Sequence, residues 1–341
     1  MWRFIAYRLS IMVPTLIAIS AMIFIVIQLP PGDYLSNQIA ELRSQGEQAS
    51  LARVEFLRSQ FGFDRPLIEQ YAVWIGVWPG ATGFSGLLQG DWGWSFQYDR
   101  PVAEVVGDSL MLTVVLNFVT VLFIYLVSFP IGVLSATRQY SIADYGFTLA
   151  GYIGLAVPNF LLGLILLYYG NLWFGLSVGG LMAPEFADAP WSWEKLRSVL
   201  AHMVIPVFVI GVSGTAAMIR RLRANLLDEL QKHYVTTARA KGLSPGRVML
   251  KYPLRMAMNP FISDIGDLLP QMVSGSVIVS IVLNLPTVGP ILLQALRAQD
   301  YYLSGFVLMF IAMLTVIGML VSDLALAALD PRIRLDGRAA Q

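Results

Sequence analysis

Long apolar runs alternate with polar segments along this chain. The first run covers residues 9–29, and at about 1.5 Å per residue in a helix it is long enough for the ~30 Å hydrocarbon core of a bilayer. Five further apolar runs follow, at residues 110–136, 146–170, 199–219, 261–283 and 303–329. The pattern predicts an all-α polytopic membrane protein with about six transmembrane helices.

The composition supports contact with lipid. Apolar residues make up 56% of the chain and charged residues 13%, against a usual charged share of about 25% in soluble domains. The first apolar run is longer than the apolar region of a signal peptide, which predicts a retained first helix. Because the chain has no cysteines, disulfides, thiolate metal sites and cysteine nucleophiles are excluded.

The basic residues predict the orientation of the chain. If the N-terminus is cytoplasmic, the inner segments are residues 1–8, 137–145, 220–259 and 330–341, and they hold 15 of the 23 lysines and arginines. Both termini are therefore expected in the cytoplasm.

These spans divide the chain into four regions. We expect a first transmembrane helix at residues 1–29, an extracytoplasmic region at 30–109, a five-helix core at 110–329 that includes a cytoplasmic loop at 220–259, and a cytoplasmic tail at 330–341. The region 30–109 has apolar residues at roughly helical spacing, which predicts one or two helices there. Those positions are Ile39, Leu42, Leu51, Val54, Phe56 and Leu57.

The inner loop, residues 220–259, has a local pattern of two short helices. Residues 234–241 predict the first helix, with Gly242 in the position of a C-terminal cap. Ser244 and Pro245 predict the start of the next helix, as N-cap and first helical residue, and Pro253 predicts a kink within it. Composition alone favours an ordinary basic loop beside the membrane.

Several sequence strings, in order along the chain, are similar to those of the dipeptide/oligopeptide family of bacterial ABC-transporter permease subunits. The central string is Thr237-Ala238-Arg239-Ala240-Lys241-Gly242-Leu243, followed by Pro260. Other similar strings are Tyr7-Arg8-Leu9, Pro31-Gly32-Asp33, Phe61-Gly62-Phe63-Asp64-Arg65-Pro66, Gln70-Tyr71, Gly90-Asp91-Trp92-Gly93-Trp94-Ser95, Pro101-Val102, Gly289, Asp300-Tyr301, Asp323 and Asp330-Pro331-Arg332-Ile333-Arg334.

The resemblance implies the ABC importer permease fold in a bacterial inner membrane. It implies a second homologous permease, two ATPase subunits and an extracytoplasmic solute-binding protein as partners, and no nucleic acid. ATP and Mg would bind the ATPase subunits, since this chain has no P-loop string and is expected to be non-catalytic. The coupling helix that fits the ATPase would use Tyr234, Thr237, Ala238, Arg239, Ala240, Lys241 and Gly242.

The sequence departs from the family pattern near the fifth span. Ser280 stands where a glutamate is usual, and Pro286-Thr287-Val288-Gly289 replaces the usual Pro-Gly-X-Gly. The resemblance therefore implies oligopeptides or dipeptides as the solute, but leaves open oligosaccharides or another small solute. Substrate-binding residues are not identified by the sequence.

Intramembrane carboxylates suggest a different class of transporter. Asp264 and Asp267 are three residues apart and share a helix face. One hypothesis is that they couple transport to an ion, as in a secondary transporter. The alternative is an interfacial pair at the cytoplasmic end of the span, which Arg255 or water reaches. For Asp323, a role in helix packing or in pairing with an arginine is favoured over ion transport. His202 and His233 are too far apart along the chain to predict a metal site.

Overall fold

The computed structural model describes residues 2–30, 61–80, 83–174, 179–186 and 189–329, together with positions 32, 34–35, 37–39, 54, 56 and 58–59. The tail 330–341, the family-like residues Pro31 and Asp33, and Leu42, Leu51 and Leu57 lie outside the described residues. The side chain of Asp267 lies outside them as well.

The described residues are mostly helical, and one small hairpin interrupts the helices. Strands β1 (Trp94–Ser95) and β2 (Arg100–Pro101) pair antiparallel, with Trp94 opposite Pro101. The helices are α1 (Trp2–Gln28), α2 (Leu67–Ile75), α3 (Val102–Thr137), α4 (Ile142–Ala156), α5 (Asn159–Phe174), α6 (Trp193–Leu230), α7 (His233–Ala240), α8 (Pro245–Lys251), α9 (Pro253–Ser263), α10 (Ile265–Val282), α11 (Val288–Ala298) and α12 (Tyr301–Leu329).

The predicted spans correspond to helices of membrane length. Four helices among the described residues, α1, α3, α6 and α12, are long and apolar enough to cross a membrane, and the bent pair α4 and α5 makes a fifth if it counts as one span. Helix α10 covers most of the remaining predicted span with 18 residues. The prediction of an all-α polytopic protein with about six spans is therefore confirmed.

The predicted third span is bent rather than straight. Helices α4 and α5 meet at 98°, and the break falls at Val157 and Pro158. Proline has no N–H to donate and its ring disfavours helical geometry in the residue before it. Val157 is accordingly extended, with φ −85° and ψ 120°.

The predicted fifth span is broken near its start. Helix α9 ends at Ser263 and α10 begins at Ile265, with Asp264 between them. Pro253 does not kink a helix, because α8 ends at Lys251 and α9 begins at Pro253. The predicted run 261–283 is therefore the end of one helix followed by a second.

Contacts divide the chain into two compact units. The first comprises residues 1–10, 112–289 and 314–341, and α6 is its central helix, packing against α4, α5, α9 and α10. Two glycines of α6 make room for side chains of α3. A Cβ on Gly211 would lie 2.8 Å from the Phe123 ring, and one on Gly214 would lie 2.8 Å from Ile124.

The second unit comprises residues 11–111 and 290–313. Its aromatic cluster places Trp74 beside Phe24 and Tyr301, so Trp74 is a packing residue. A second cluster contains Ile39 and Val54, and the described residues between positions 34 and 59 are helical. The prediction of helix in the region 30–109 is confirmed for those residues and for α2.

A buried carboxylate fixes the hairpin of this unit to the start of α12. Asp300 accepts hydrogen bonds from the Ser95 hydroxyl at 2.6 Å and from the Gln97 amide at 3.0 Å. Its other oxygen accepts from the Leu303 amide at 3.3 Å, the bond of an N-cap residue. Asp300 is fully buried, so these bonds replace its hydration.

Large apolar side chains on several helices are exposed in the isolated chain. Contiguous exposed apolar surface of this kind marks contact with lipid or another protein. On α1 the exposed set includes Leu9, Ile11, Val13, Ile17, Met22, Ile25 and Val26.

Candidate functional site

The loop predicted at residues 220–259 begins inside α6, which continues to Leu230. Leu222 and Leu226 are fully buried on one side of these last turns. On the same stretch, Arg223 donates two hydrogen bonds of 2.8 Å to the carboxylate of Asp144, which is buried near the start of α4. Apolar packing and this ion pair therefore hold the end of α6 in the first unit.

Helix α7 follows after two residues and ends on a glycine. Gly242 has φ +79°, the left-handed conformation that residues other than glycine adopt only at a cost. Its amide donates to the Arg239 carbonyl at 2.9 Å, and the Leu243 amide donates to the Ala238 carbonyl at 3.4 Å. These two bonds form a Schellman motif, so the C-terminal cap inferred for Gly242 lies where the sequence predicted it.

One face of α7 packs against α8. Val235, Ala238 and Val248 are buried together, with Leu243 and Tyr252 against them. Ala238 therefore faces the inside of the loop. The contact with an ATPase subunit that the family resemblance implies for this position stays a prediction. The small side chain of Ala238 allows α7 and α8 to approach each other.

The opposite face of α7 and the residues after it are exposed. These exposed positions are Thr237, Arg239, Ala240, Lys241 and Gly242. Arg239 and Lys241 are positively charged, Ala240 has a small side chain and Gly242 has none. The surface is therefore suited to close contact with a complementary, acidic groove.

Tyr234 connects α7 to the end of α6. Its hydroxyl donates a hydrogen bond to the Glu229 carboxylate, and its ring lies 6.3 Å from that of Tyr252. Burial and the neighbouring carboxylate raise the pKa of the Tyr234 hydroxyl above its ordinary value. Tyr234 is 37% exposed, so it both anchors α7 and contributes to its surface.

Helix α8 begins at Pro245, with Ser244 in the N-cap position as predicted, although the serine hydroxyl makes no capping bond. Arg255, in the next helix, donates to the Leu329 carbonyl at 2.6 Å, at the end of α12. Arg255 therefore satisfies a helix C-terminus and is not the partner of Asp264 that the sequence suggested.

A sequence profile described as the binding-protein-dependent transport system inner membrane component matches residues 128–335. A profile of the N-terminal region of such components matches residues 1–117. The chain belongs to this family. It is the permease subunit of an ABC importer, and the family resemblance seen in the sequence is confirmed.

Characterised relatives resemble the permease over almost its whole length. The oligopeptide transport system permease protein AppB of Bacillus subtilis is 32% identical, over 98% of this chain and 99% of its own. The dipeptide transport system permease protein DppB of Escherichia coli is 30% identical, over 98% and 99%. The peptidoglycan transport system permease protein YejB of Agrobacterium fabrum is 28% identical, over 99% and 100%.

One solved structure is also similar. It is an inward-facing conformation of the MetNI methionine ABC transporter, with a TM-score of 0.48 and 18% identity over 66% of this chain and 96% of the other.

Two of the intramembrane carboxylates, Asp264 and Asp323, are paired with arginines. Asp264, at the break between α9 and α10, forms an ion pair with Arg221 of α6. Asp323 of α12 lies 3.0 Å from the Arg8 guanidinium of α1, which confirms the arginine pairing inferred from the sequence. A pair of charges in contact avoids the cost of an isolated charge in an apolar environment.

The Arg221–Asp264 pair lines a cavity of about 350 Å³ in the first unit. Asn159 and Ser213 also line it, and their side chains are hydrogen bonded to each other at 3.2 Å. The other lining residues are mostly apolar. This is the composition of a small-molecule site: an apolar wall with a few polar groups.

Sequence reasoning missed both the Arg223–Asp144 pair and the cavity. Arg223 and Asp144 lie 79 positions apart, and nothing local links them. Arg221 and Asp264 are separated in the same way. The positions of the basic residues along the sequence predict the orientation of the chain, whereas only the folded chain shows which carboxylates Arg221 and Arg223 contact.

Proposed function

We propose that the permease imports peptides and that α7 is the coupling helix through which two ATPase subunits drive it. The observation that carries this proposal is the exposed surface of α7 and its glycine cap, Thr237 to Gly242, which is held in position by the buried side chains of Val235 and Ala238. A helix that is packed on one face and exposed on the other can transmit the movement of a bound ATPase subunit to the rest of the loop.

The transmission route follows the packing of this loop. Tyr234 and Glu229 join α7 to α6, which contacts α4, α5, α9 and α10. A displacement of α7 therefore acts on the central helix of the core. ATP and Mg would bind the ATPase subunits, and this chain would have no catalytic residue of its own.

The remaining partners follow from the same proposal. A second homologous permease would complete the channel, and an extracytoplasmic binding protein would deliver the solute. Both termini and α7 would be cytoplasmic, which agrees with the excess of lysine and arginine in those segments. The region 30–109 would face the binding protein, and lipid would cover the exposed apolar helices.

The names of the relatives support peptides as the solute. Two are named for oligopeptide or dipeptide transport and a third for peptidoglycan transport, which includes both peptide and sugar. Oligosaccharides or another small solute are the alternative.

Uptake of labelled tri-alanine, compared with a labelled oligosaccharide, by the whole transporter in proteoliposomes distinguishes them. Uptake that follows an ion gradient and ignores ATP would overturn the proposal.

Single cysteines test the coupling helix, because the chain has none of its own. Ala240→Cys should react with an impermeant maleimide in inside-out vesicles and should form a cross-link to the ATPase subunit. Ala238→Cys is the matched control on the same helix and should react slowly, since position 238 is 5% exposed. Labelling of Ala240→Cys from outside intact cells would contradict the proposed orientation.

Gly242→Pro tests the coupling itself. Proline removes the amide that bonds Arg239 and cannot adopt φ +79°, so the end of α7 must rearrange. We expect ATP hydrolysis to continue while peptide uptake is lost, with normal membrane insertion. Gly246→Ala, on α8, is the control and should transport normally. Wild-type uptake by Gly242→Pro would contradict the role of α7.

A further inference from the structure

The cavity in the first unit carries two opposite charges on its wall. Arg221 and Asp264 are the formally charged residues among those that line it in the described part of the chain. The Arg221 side chain is 50% exposed and that of Asp264 only 10%. Arg221 is therefore the more accessible of the two side chains, and the Asp264 carboxylate is mostly buried.

The volume of the cavity suits a small organic solute. About 350 Å³ lies at the lower end of the range of small-molecule sites, roughly 300–1,000 Å³. Apolar side chains such as Ile124, Leu155 and Leu268 form much of its wall. Asn159 and Ser213 add hydrogen-bonding groups that a peptide unit would satisfy.

An ion pair of this kind favours one class of ligand. A neutral or singly charged solute that separates Arg221 from Asp264 leaves at least one of the two charges without its partner, which is costly for the buried carboxylate. A zwitterionic solute leaves neither charge without a partner. Its carboxylate takes the place of Asp264 beside the Arg221 guanidinium, and its ammonium group takes the place of Arg221 beside the Asp264 carboxylate. Every charge is then paired before and after binding.

We propose that this cavity is a binding site for a zwitterionic solute, with Arg221 binding the solute's carboxylate and Asp264 its ammonium group. The inference rests on the proposed import of peptides, since an uncapped peptide has both groups. It adds a role for the permease in recognising the charged ends of its solute.

Protection of a single cysteine tests this site without the binding protein. Ala217 lines the cavity, so Ala217→Cys in the purified permease–ATPase complex reports its occupancy through the rate of maleimide labelling of the permease chain. Tri-alanine should slow labelling about threefold at twice its Kd. N-acetyl-tri-alanine amide, of similar size without the charges, should not. Ala143→Cys, at an exposed position outside the cavity and outside α7, is the control and should be unaffected.

Charge variants then test the two named residues. Arg221→Gln and Asp264→Asn, each combined with Ala217→Cys, should abolish protection by tri-alanine, whereas Arg220→Gln should not. The double exchange Arg221→Asp with Asp264→Arg keeps an ion pair and should restore protection. Unchanged thermal unfolding of the two single variants, measured on the same complexes, distinguishes a ligand site from a pair needed only for folding.

The outcomes separate this inference from the proposed function. Uptake of tri-alanine by the whole transporter without protection of Ala217→Cys would overturn the cavity site and leave peptide import standing. Equal protection by the capped peptide would overturn the pairing of charges. Protection without uptake of any peptide would support the site and contradict peptide import.

Discussion

Arg223 holds the Asp144 carboxylate through two hydrogen bonds of 2.8 Å, and the Asp144 side chain is only 3% exposed. The Tyr140 amide also donates to this carboxylate, at 2.9 Å. The pair connects α6, a few residues before α7, to the start of α4. A buried carboxylate with a two-point partner is costly to leave alone.

Replacing Arg223 should therefore destabilise the core. We expect Arg223→Gln to lower the free energy of unfolding by about 3 kcal/mol, because the Asp144 carboxylate stays buried without its cation. Arg223→Lys should recover only part of this loss, since an ammonium group cannot form the paired contact. Thermal unfolding in detergent measures both, and exposed Arg220→Gln is the control. A similar loss in the control would refute the argument.

Gly242 and Gly246 provide a matched pair of glycines. A Cβ at either position would meet no neighbour within 4 Å, but only Gly242 has a positive φ. Gly242→Ala should therefore destabilise the loop by about 1 kcal/mol, and Gly242→Asn by less. Gly246→Ala should be neutral or slightly stabilising.

The rate of tryptic cleavage in the loop measures this effect, because opening exposes its lysines and arginines. Equal rates for the two alanine variants would show that the conformation of Gly242 does not matter.

Ala238 and Ala240 test the two faces of α7, the proposed coupling helix. Leucine at position 238 would overpack the contact with Val248, and we expect a cost of about 1–3 kcal/mol in loop stability. Leucine at position 240 projects from the exposed face, so it should leave the loop intact and weaken ATPase binding. Tryptic cleavage and copurification of the ATPase subunit measure the two effects separately. Faster cleavage of Ala240→Leu would contradict the assignment of faces.

Asp300 predicts a pH dependence of stability. Burial raises the pKa of its carboxyl above the usual range, so the folded state disfavours the ionised form. Its contribution to stability is complete below the unfolded pKa of about 3.9, and it is lost as the pH rises through the folded pKa. Wild type should therefore gain thermal stability relative to Asp300→Asn as the pH falls from 7 to 4. The exposed control Asp99→Asn should show the same pH dependence of thermal stability as the wild type. An advantage of the wild type over Asp300→Asn that grows as the pH rises would refute the prediction.

The sequence predicted the features that local chemistry determines. Apolar runs locate the spans because each must satisfy its own backbone in lipid. The cap at Gly242 follows from one glycine after a short helix. The 98° bend at Pro158 could not be predicted, since a proline inside an apolar run is compatible with anything from a slight kink to a break.

Features that depend on distant residues could not be predicted in the same way. The sequence marks Asp264 as unusual because it is a carboxylate within an apolar run. Its partner Arg221 is identified only in the folded chain, where α6 lies beside the junction of α9 and α10. Ala238 illustrates a different limit, because smallness alone does not say whether a residue faces a partner protein or its own loop. Only the folded chain shows that Ala238 is buried together with Val248.

Helix α6 also sets a scale for mechanical motion. It runs without interruption for 38 residues, and the part from Pro206 to Leu230 is about 36 Å long at 1.5 Å per residue. A rotation of about 5° at Pro206, where a helix bends most readily, would displace Leu230 by about 3 Å. That displacement is close to the diameter of a water molecule, so a small tilt of helix α6 is enough to admit or exclude water at a narrow contact between helices.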